Sequence, residues 1–320
     1  MTSSHPTIRL FVLAIFWLGL ATSCEESVDL DIVIQEPQVV VNSTFVPGEP
    51  FKVFVSKSQN VLSSEPNEYI NNAAVRILNQ QGEVLEQLQL RNLRTPHYSS
   101  RNIHPENGKV YRLEVAIPGQ ETIIAEDNVP LPVALDHIKV DTLEMFGDQE
   151  AQVYKVSVAV HFKDPIGAQD YYHLSLFNRK ATHHGMLDGL GPEGSEKNSW
   201  SPLMPLESDE NNPAVTFHYE DGGVLFTDEA FDGQPTQLTF YSLLSLDEAA
   251  QGSQIVGELK TVSRAYYLFQ TSLSRQIANR DRPFVEPISV YSNIENGLGI
   301  FSGYAVYRDS VAVSSSLLDN

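Results

Sequence analysis

The chain has 320 residues, of which 42% are hydrophobic, and this length allows two hydrophobic cores. Its formal net charge is −20. A surface this acidic repels the phosphate backbone of nucleic acids, so the charge excludes nucleic acid as a partner.

The first recognisable pattern is an apolar run at residues 10–20, which follows the positively charged Arg9. The run is too short for a membrane-spanning helix, which needs roughly 20 apolar residues. It has the length of the apolar region of a secretory signal peptide. Small residues at positions 21–23 precede Cys24, the only cysteine of the chain. We therefore predict a lipoprotein signal peptide at residues 1–23; an ordinary signal peptide with a chance cysteine is the alternative.

Cys24 is the predicted site of lipid attachment. In a bacterial lipoprotein, diacylglycerol is joined to the cysteine sulfur, the chain is cut just before the cysteine, and the new amino group is acylated. Two or three acyl chains, at about 0.8 kcal/mol per buried methylene, give a stable anchor. With its thiol acylated, the chain must fold without disulfides or cysteine-ligated metal. Apart from this covalent diacylglycerol and N-acyl lipid, we predict no cofactor.

An acidic segment follows the cysteine, with Glu25, Glu26 and Asp29. Such a tether resembles the export signal that Bacteroidota lipoproteins use to reach the outer face of the outer membrane. We therefore interpret residues 24–36 as a tether and predict a lipid-anchored protein exposed at the cell surface. A solvated linker without a targeting role is the alternative.

Residues 37–128 show an apolar period of two, which is typical of strands with one buried face. Turn signals at Gly48, Gly82, Gly108 and Gly119 separate the apolar segments. About seven strands at this spacing predict a β-sandwich. The pattern resembles the immunoglobulin-like and prealbumin-like modules of carboxypeptidase regulatory regions, which are usually spacers or docking surfaces.

Pro130 and Pro132 lie where we predict a domain boundary, because proline denies hydrogen-bond donors to a sheet. For residues 129–320 we predict a larger antiparallel β domain, either a sandwich or a barrel. The polar loop at residues 183–213 is long enough to suggest a functional role. Its apolar residues Trp200, Leu203 and Met204 either close one end of the domain or contact a ligand or partner.

After residue 260 the apolar period changes to steps of three and four. This pattern predicts one amphipathic helix at residues 262–279, with one apolar face against the sheet. The face consists of Val262, Tyr266, Phe269, Leu273 and Ile277. Further strands are predicted at residues 288–291 and 304–308.

Three segments of the second domain carry a family resemblance. They are Phe-Thr-Asp-Glu-Ala-Phe-Asp-Gly at 226–233, Tyr-Tyr-Leu-Phe at 266–269, and the segment 283–301, which ends in Asn-Ile-Glu-Asn-Gly-Leu-Gly-Ile-Phe. Together with the predicted lipoprotein signal peptide and Cys24, they resemble Bacteroidota lipoproteins of domain-of-unknown-function family 4249. Members are typically encoded beside TonB-dependent outer-membrane receptors, so the resemblance implies a surface subunit that serves nutrient uptake. It implies no specific site residues.

Within the last of these segments, Asn293, Gly297 and Gly299 allow two interpretations. Glycine permits positive φ and close backbone approach, and asparagine can bond its own backbone in a turn, which favours a structural role. A loop that contacts a ligand or partner is the alternative.

Candidate metal ligands occur in two places. His183, His184 and Asp188 lie in the long loop, and Asp228 and Asp232 offer hard oxygen atoms before a glycine. Both sets are weak candidates, because neighbouring histidines in a strand point to opposite faces and the aspartate spacing is not that of an EF-hand loop.

The sequence contains no nucleophile elbow, no His-Glu-x-x-His motif and no phosphate-loop lysine, so we predict no catalytic residues. The first hypothesis is a non-enzymatic surface lipoprotein that captures a nutrient for, or docks to, a TonB-dependent transporter. The alternative is a surface hydrolase that acts on glycan or peptide, with its site in the loop at residues 183–213.

Overall fold

The computed structural model describes residues 36–59, 66–91, 94–146, 153–167, 169–182, 197–203, 207–213, 215–220, 223–245, 253–279 and 288–313. Cys24 and the predicted signal peptide lie outside the described residues, and the lipid anchor therefore stays a prediction. Among the described residues, no helix has the length and apolar character needed to cross a membrane.

Eighteen strands and one helix lie in the described part of the chain. In chain order they are β1 Val39–Phe45, β2 Lys52–Lys57, β3 Ala74–Asn79, β4 Val84–Gln87, β5 Gln89–Arg91, β6 His97–Ser99, β7 Val110–Ala116, β8 Ile123–Asn128, β9 Leu135–Phe146, β10 Val153–Lys163, β11 Tyr171–Thr182, β12 Lys197–Pro202, β13 Glu207–Ser208, β14 His218–Glu220, β15 Gly223–Thr227, β16 Pro235–Ser245, β17 Gln254–Val262, α1 Arg264–Asn279 and β18 Leu298–Ala312. The mainly β class predicted from the sequence is confirmed.

The strands follow the period-two pattern because alternate residues face the core. In β10, the side chains of Val156, Val158 and Val160 are exposed by 2% or less. Ser157 and His161, which lie between apolar positions of the same strand, are partly exposed. Each strand therefore supplies one row of side chains to the core and a second row to the outer face.

The strands form three sheets in the described part of the chain. The long sheet has ten strands, in the order β14-β15-β11-β17-β18-β1-β2-β6-β5, with β12 paired to β11. The other two have four strands each, β13-β16-β10-β9 and β4-β3-β7-β8. Each order has two free ends, so none of the three is a closed barrel. Of the two forms that the sequence left open for the second domain, the sandwich agrees with the structure.

Two apolar cores lie between the long sheet and the smaller sheets. Val129 belongs to the first core and Val133 to the second, so the cores change close to the predicted boundary. However, Phe301 and Ala305 of β18 also belong to the first core, and Pro37–Asn320 forms one compact unit. The division into domains 37–128 and 129–320 stays a prediction.

A parallel pairing of β1 with β18 joins the two ends of the described chain. Val40 pairs with Leu298, and Phe45 pairs with Gly303. Gly299 has a φ of 112°, and a Cβ built there would overlap the carbonyl oxygen of Val41. The close approach of the two strands at this point therefore requires glycine.

Helix α1 confirms the helix predicted from the sequence. The predicted apolar face is buried only in the first half of the helix. Ser263 caps its first turn, since the Tyr266 N–H donates to Ser263 Oγ at 3.2 Å. The Tyr266 side chain is buried against Leu225 and Val262. Ile277, at the other end of the predicted apolar face, is 58% exposed. The buried helix residues all lie in its first half, so only that half packs on the sheet.

The strand predicted at residues 288–291 is wrong, because these residues form no strand. Tyr291 donates its backbone N–H to Ser272 Oγ of α1 at 2.9 Å. A helix side chain thus satisfies a backbone group that a sheet partner would otherwise satisfy.

Asp127 links β8 to β18. Its Oδ2 accepts the Gly303 N–H at 2.9 Å. Burial raises the pKa of the Asp127 carboxyl from its ordinary value of 3.8 to about 6, although hydrogen bonds from Ser263 and from the Gly303 and Asn128 backbones oppose this shift. The folded protein therefore holds this proton more tightly than the unfolded chain does.

We expect Gly299→Ala to lower the free energy of unfolding by at least about 3 kcal/mol, since the new Cβ would separate β1 from β18. Gly119→Ala is the matched control: Gly119 also has positive φ, 80°, but no atom lies within 4 Å of its built Cβ. The control should lose only about 1–2 kcal/mol. Urea unfolding measures both variants, and equal losses would contradict the role given to Gly299.

Asp127→Asn should raise the free energy of unfolding near pH 7 by up to about 3 kcal/mol, because it removes a buried charge. The raised pKa of Asp127 means that wild-type stability falls as pH rises from about 4 to about 6, and that this fall is absent in the variant. Near pH 4 the two proteins should be nearly equally stable. Urea unfolding across this pH range tests the sign; a variant less stable than wild type at pH 7 would refute it.

Candidate functional site

A groove of about 460 Å³ lies on the face of the long sheet that carries α1. The row of β1 residues that faces away from the first core, Asn42 and Thr44, borders it. Register places Phe54 of β2 and Ile300 of β18 on either side of Asn42. Helix α1 closes the opposite side with Phe269. The groove therefore combines residues from both ends of the described chain.

Three half-buried aromatic side chains line the groove: Phe54, Phe269 and Tyr304. At its rim, the Lys52 ammonium and the Glu49 carboxylate form an ion pair of 3.3 Å. With the Asn42 side chain, the lining offers aromatic faces together with donors and acceptors. Apolar walls with a few polar groups are typical of sites for small ligands.

The electrostatics of the groove centre on Tyr304. The Lys260 ammonium lies 5.7 Å from the centre of its ring. Burial raises the pKa of the Tyr304 hydroxyl, and the charges of Glu258 and Glu49 add to this effect. Tyr304 is therefore a neutral phenol, able to present both a hydrogen-bonding group and a ring face.

A second feature is an acidic cluster of Asp164, Asp228 and Asp232. One carboxylate oxygen from each lies within 4.8 Å of the others, and the first two side chains are buried. The hydroxyl of Tyr172 donates to Asp164 Oδ1 at 2.5 Å, and the N–H of Gly233 donates to Asp164 Oδ2 at 2.8 Å. Buried carboxylates in these turns thus replace water as hydrogen-bond partners of the backbone.

Repulsion within this cluster affects a fourth carboxyl, Asp170. Burial raises its pKa from 3.8 to about 6, and the charges of Asp164, Asp228 and Asp232 add to the shift. Burial also raises the pKa of Asp228. Closely spaced carboxylate oxygens are the ligands that hard cations such as Ca²⁺ prefer. However, each of the three clustered carboxylates already accepts a hydrogen bond, so the arrangement also has a purely structural explanation.

The structure brings together two of the weak metal candidates, Asp228 and Asp232. It adds Asp164, which sequence reasoning did not select because it lies in a different turn, 64 residues before Asp228. The other candidates, His183, His184 and Asp188, lie outside the described residues.

The three loop residues predicted to contact a ligand or partner have different surroundings. Trp200 is 48% exposed, and its ring lies 5.9 Å from that of Phe177. Leu203 is 3% exposed and belongs to the second core. Met204 lies outside the described residues. Trp200 is therefore the member of this set whose described surroundings leave room for an external contact.

The segment before β18 uses its polar groups internally. Asn293 accepts the Phe301 N–H at 3.0 Å and donates to the Phe301 carbonyl at 2.7 Å. A Cβ built at Gly297 lies 3.0 Å from the Val39 carbonyl oxygen, and Gly299 meets Val41 as described above. These contacts agree with the structural reading of Asn293, Gly297 and Gly299; a ligand role for them stays a prediction.

Sequence reasoning missed the groove. Asn42, Phe54 and Tyr304 appear in the sequence as ordinary members of alternating strands, with no motif to distinguish them. A polar Asn42 inside an apolar strand was the one available signal, but such positions simply face outward in most strands.

The comparison with curated proteins found no match. Among solved structures, the chain is similar to an alpha-2-macroglobulin mutant from Salmonella, with 9% identity and a TM-score of 0.23. The match covers 88% of this chain and 15% of that one, so the chain spans a small part of that protein. It is also similar to the collagen binding domain of the Erysipelothrix rhusiopathiae surface protein RspB, with 7% identity, a TM-score of 0.17, and coverage of 85% and 96% of the two chains.

The family comparison is more informative, because it covers most of the sequence. The model of the family described as Domain of unknown function (DUF4249) matches residues 25–310. This range includes all three segments that carried the resemblance. The family assignment predicted from the sequence is confirmed, and the chain belongs to the DUF4249 family.

Proposed function

We propose that this protein is a lipid-anchored protein of the outer-membrane surface that binds an extracellular ligand and serves a TonB-dependent transporter. The observation that carries the proposal is the groove beside α1, where three aromatic side chains and several hydrogen-bonding groups converge. Rigid strands and one helix position these groups, which favours binding of a defined ligand over non-specific adhesion.

The lining of the groove indicates the class of ligand. Phe54, Phe269 and Tyr304 suit a planar apolar group, and Asn42 suits an amide or hydroxyl. The Lys52–Glu49 ion pair at the rim places both charge signs beside the opening. The groove therefore favours a small ligand with a planar apolar part and polar substituents.

The anchor and the surface charge support the proposed location. Removal of the signal peptide with Arg9 would change the formal charge from −20 to −21. An acidic domain is repelled by anionic lipid, so it stays in solution above the membrane while the acyl chains hold it there. The family resemblance supplies the expected partner, a TonB-dependent receptor in the same membrane.

We expect the wild-type protein to incorporate radiolabelled palmitate, to fractionate with the outer membrane, and to co-purify with a TonB-dependent receptor after cross-linking. Cys24→Ser should abolish the labelling and release the protein, because no other thiol can accept diacylglycerol. An unlabelled wild type, or a Cys24→Ser protein that stays in the membrane, would refute the anchor. A labelled protein without a receptor would refute the transport role alone.

The groove itself can be tested with anilinonaphthalene sulfonate, a fluorescent probe with a planar apolar part and one polar substituent. Phe269→Ala should weaken its binding about tenfold by removing one aromatic wall. Ile277→Ala is the matched control, since Ile277 lies on the same helix, is 58% exposed and does not line the groove. Equal affinity in wild type and Phe269→Ala would exclude the groove as the binding site.

A further inference from the structure

A hollow of about 580 Å³ lies on the outer face of the sheet β13-β16-β10-β9. The inner face of this sheet packs on the second core. The hollow is separate from the groove and from the acidic cluster, since it shares no lining residue with either. Its side chains are mostly polar, and two of them are histidines from neighbouring strands, His137 and His161.

His137 of β9 and His161 of β10 are directly opposite each other in an antiparallel pair. Their rings are stacked, with centres 3.9 Å apart and planes inclined by 14°. Directly opposite residues in such a pair have Cβ atoms about 4.5–5.5 Å apart, so the strands hold both imidazoles on the same side of the sheet. The backbone register therefore brings two nitrogen ligands together without any contribution from a loop.

Both imidazoles are accessible to a metal ion from the solvent. His137 is exposed and His161 is half-buried, so solvent reaches the pair. A neutral imidazole nitrogen is the form that binds metal.

The charges around the hollow favour a cation. Asp141 and Asp209 line it together with Lys139, so the lining carries a net charge of −1 when both histidines are neutral. The Lys139 ammonium would repel a bound cation, but it forms an ion pair of 2.7 Å with the Asp141 carboxylate, which offsets this repulsion. The Asp209 carboxylate accepts a hydrogen bond from the Tyr241 hydroxyl and stays in place at the edge of the hollow.

We propose that His137 and His161 bind one divalent transition-metal ion, each through one ring nitrogen. Two metal–nitrogen bonds of about 2.0–2.1 Å join nitrogen atoms that are about 3–4 Å apart, which is comparable to the present ring separation. In the stacked arrangement the nitrogen lone pairs lie in two nearly parallel ring planes, so binding one ion requires the rings to turn about their Cβ–Cγ bonds. Imidazole ligands select Zn²⁺, Cu²⁺ or Ni²⁺ over Ca²⁺ and Mg²⁺. Water or an external ligand completes the coordination, so the site is open to the solvent.

The test uses the full chain in detergent, without a histidine tag, titrated with Zn²⁺ by calorimetry and with Cu²⁺ by electron paramagnetic resonance. We expect one Zn²⁺ per chain and a Cu²⁺ spectrum with nitrogen splitting. His137→Gln and His161→Gln should each weaken Zn²⁺ binding at least about tenfold. His104→Gln, at an exposed histidine outside the hollow, is the matched control and should bind as wild type does.

Thermal unfolding in EDTA checks that each variant folds, which is expected because the substituted side chains lie on the outer face of the sheet. Loss of Zn²⁺ binding in a folded His137→Gln or His161→Gln variant, with binding retained in His104→Gln, supports the site. Unchanged binding in the double variant overturns it, and so does a loss that occurs only when His183 and His184 are replaced. Failure of this test leaves the groove and the anchor unaffected, since they depend on other residues.

Discussion

The parallel pairing of β1 with β18 is the interaction on which the rest of the structure depends. It places the carboxy-terminal strand in the middle of the long sheet and adds Phe301 and Ala305 to the first core. Gly299 allows the two backbones to approach, and the amide of Asn293 fixes the loop that precedes β18. A pairing between residues 40 and 298 closes a loop that includes most of the described chain, so burial of apolar surface must offset a large entropic cost.

The groove is a direct consequence of that pairing. One wall comes from β1 and β2, near the start of the described chain, and the other from α1, near its end. The acidic cluster has a more local origin: the antiparallel pairs β10–β16 and β11–β15 bring the turn at Asp164 close to the turn at Asp228. The two features therefore differ in what they require. The cluster needs two strand pairs of the second core, β10–β16 and β11–β15, whereas the groove needs β1, β2, β18 and α1 together.

Local features were predictable from the sequence because each depends on a short periodic pattern. The alternation in β10 and the helical spacing from Tyr266 onward indicate their elements directly. The features that could not be predicted all depend on a distant partner. The buried residues of α1 all lie in its first half, so Ile277 is exposed, and the backbone N–H of Tyr291 donates to Ser272 of α1 instead of to a neighbouring strand. The partner of Asp228, Asp164, comes from another turn, and no periodicity connects the two.

The register of β1 affects both the chemistry of the groove and the stability of the fold. A strand gives every second residue to the core, so its register determines which side chains remain for binding. In β1 the observed register buries Val41 and directs Asn42 outward, between Phe54 and Ile300. A slip of one residue would bury the amide of Asn42 without a partner and place Val41 in the groove. A shift of the β1 register would therefore disrupt the first core and the lining of the groove together.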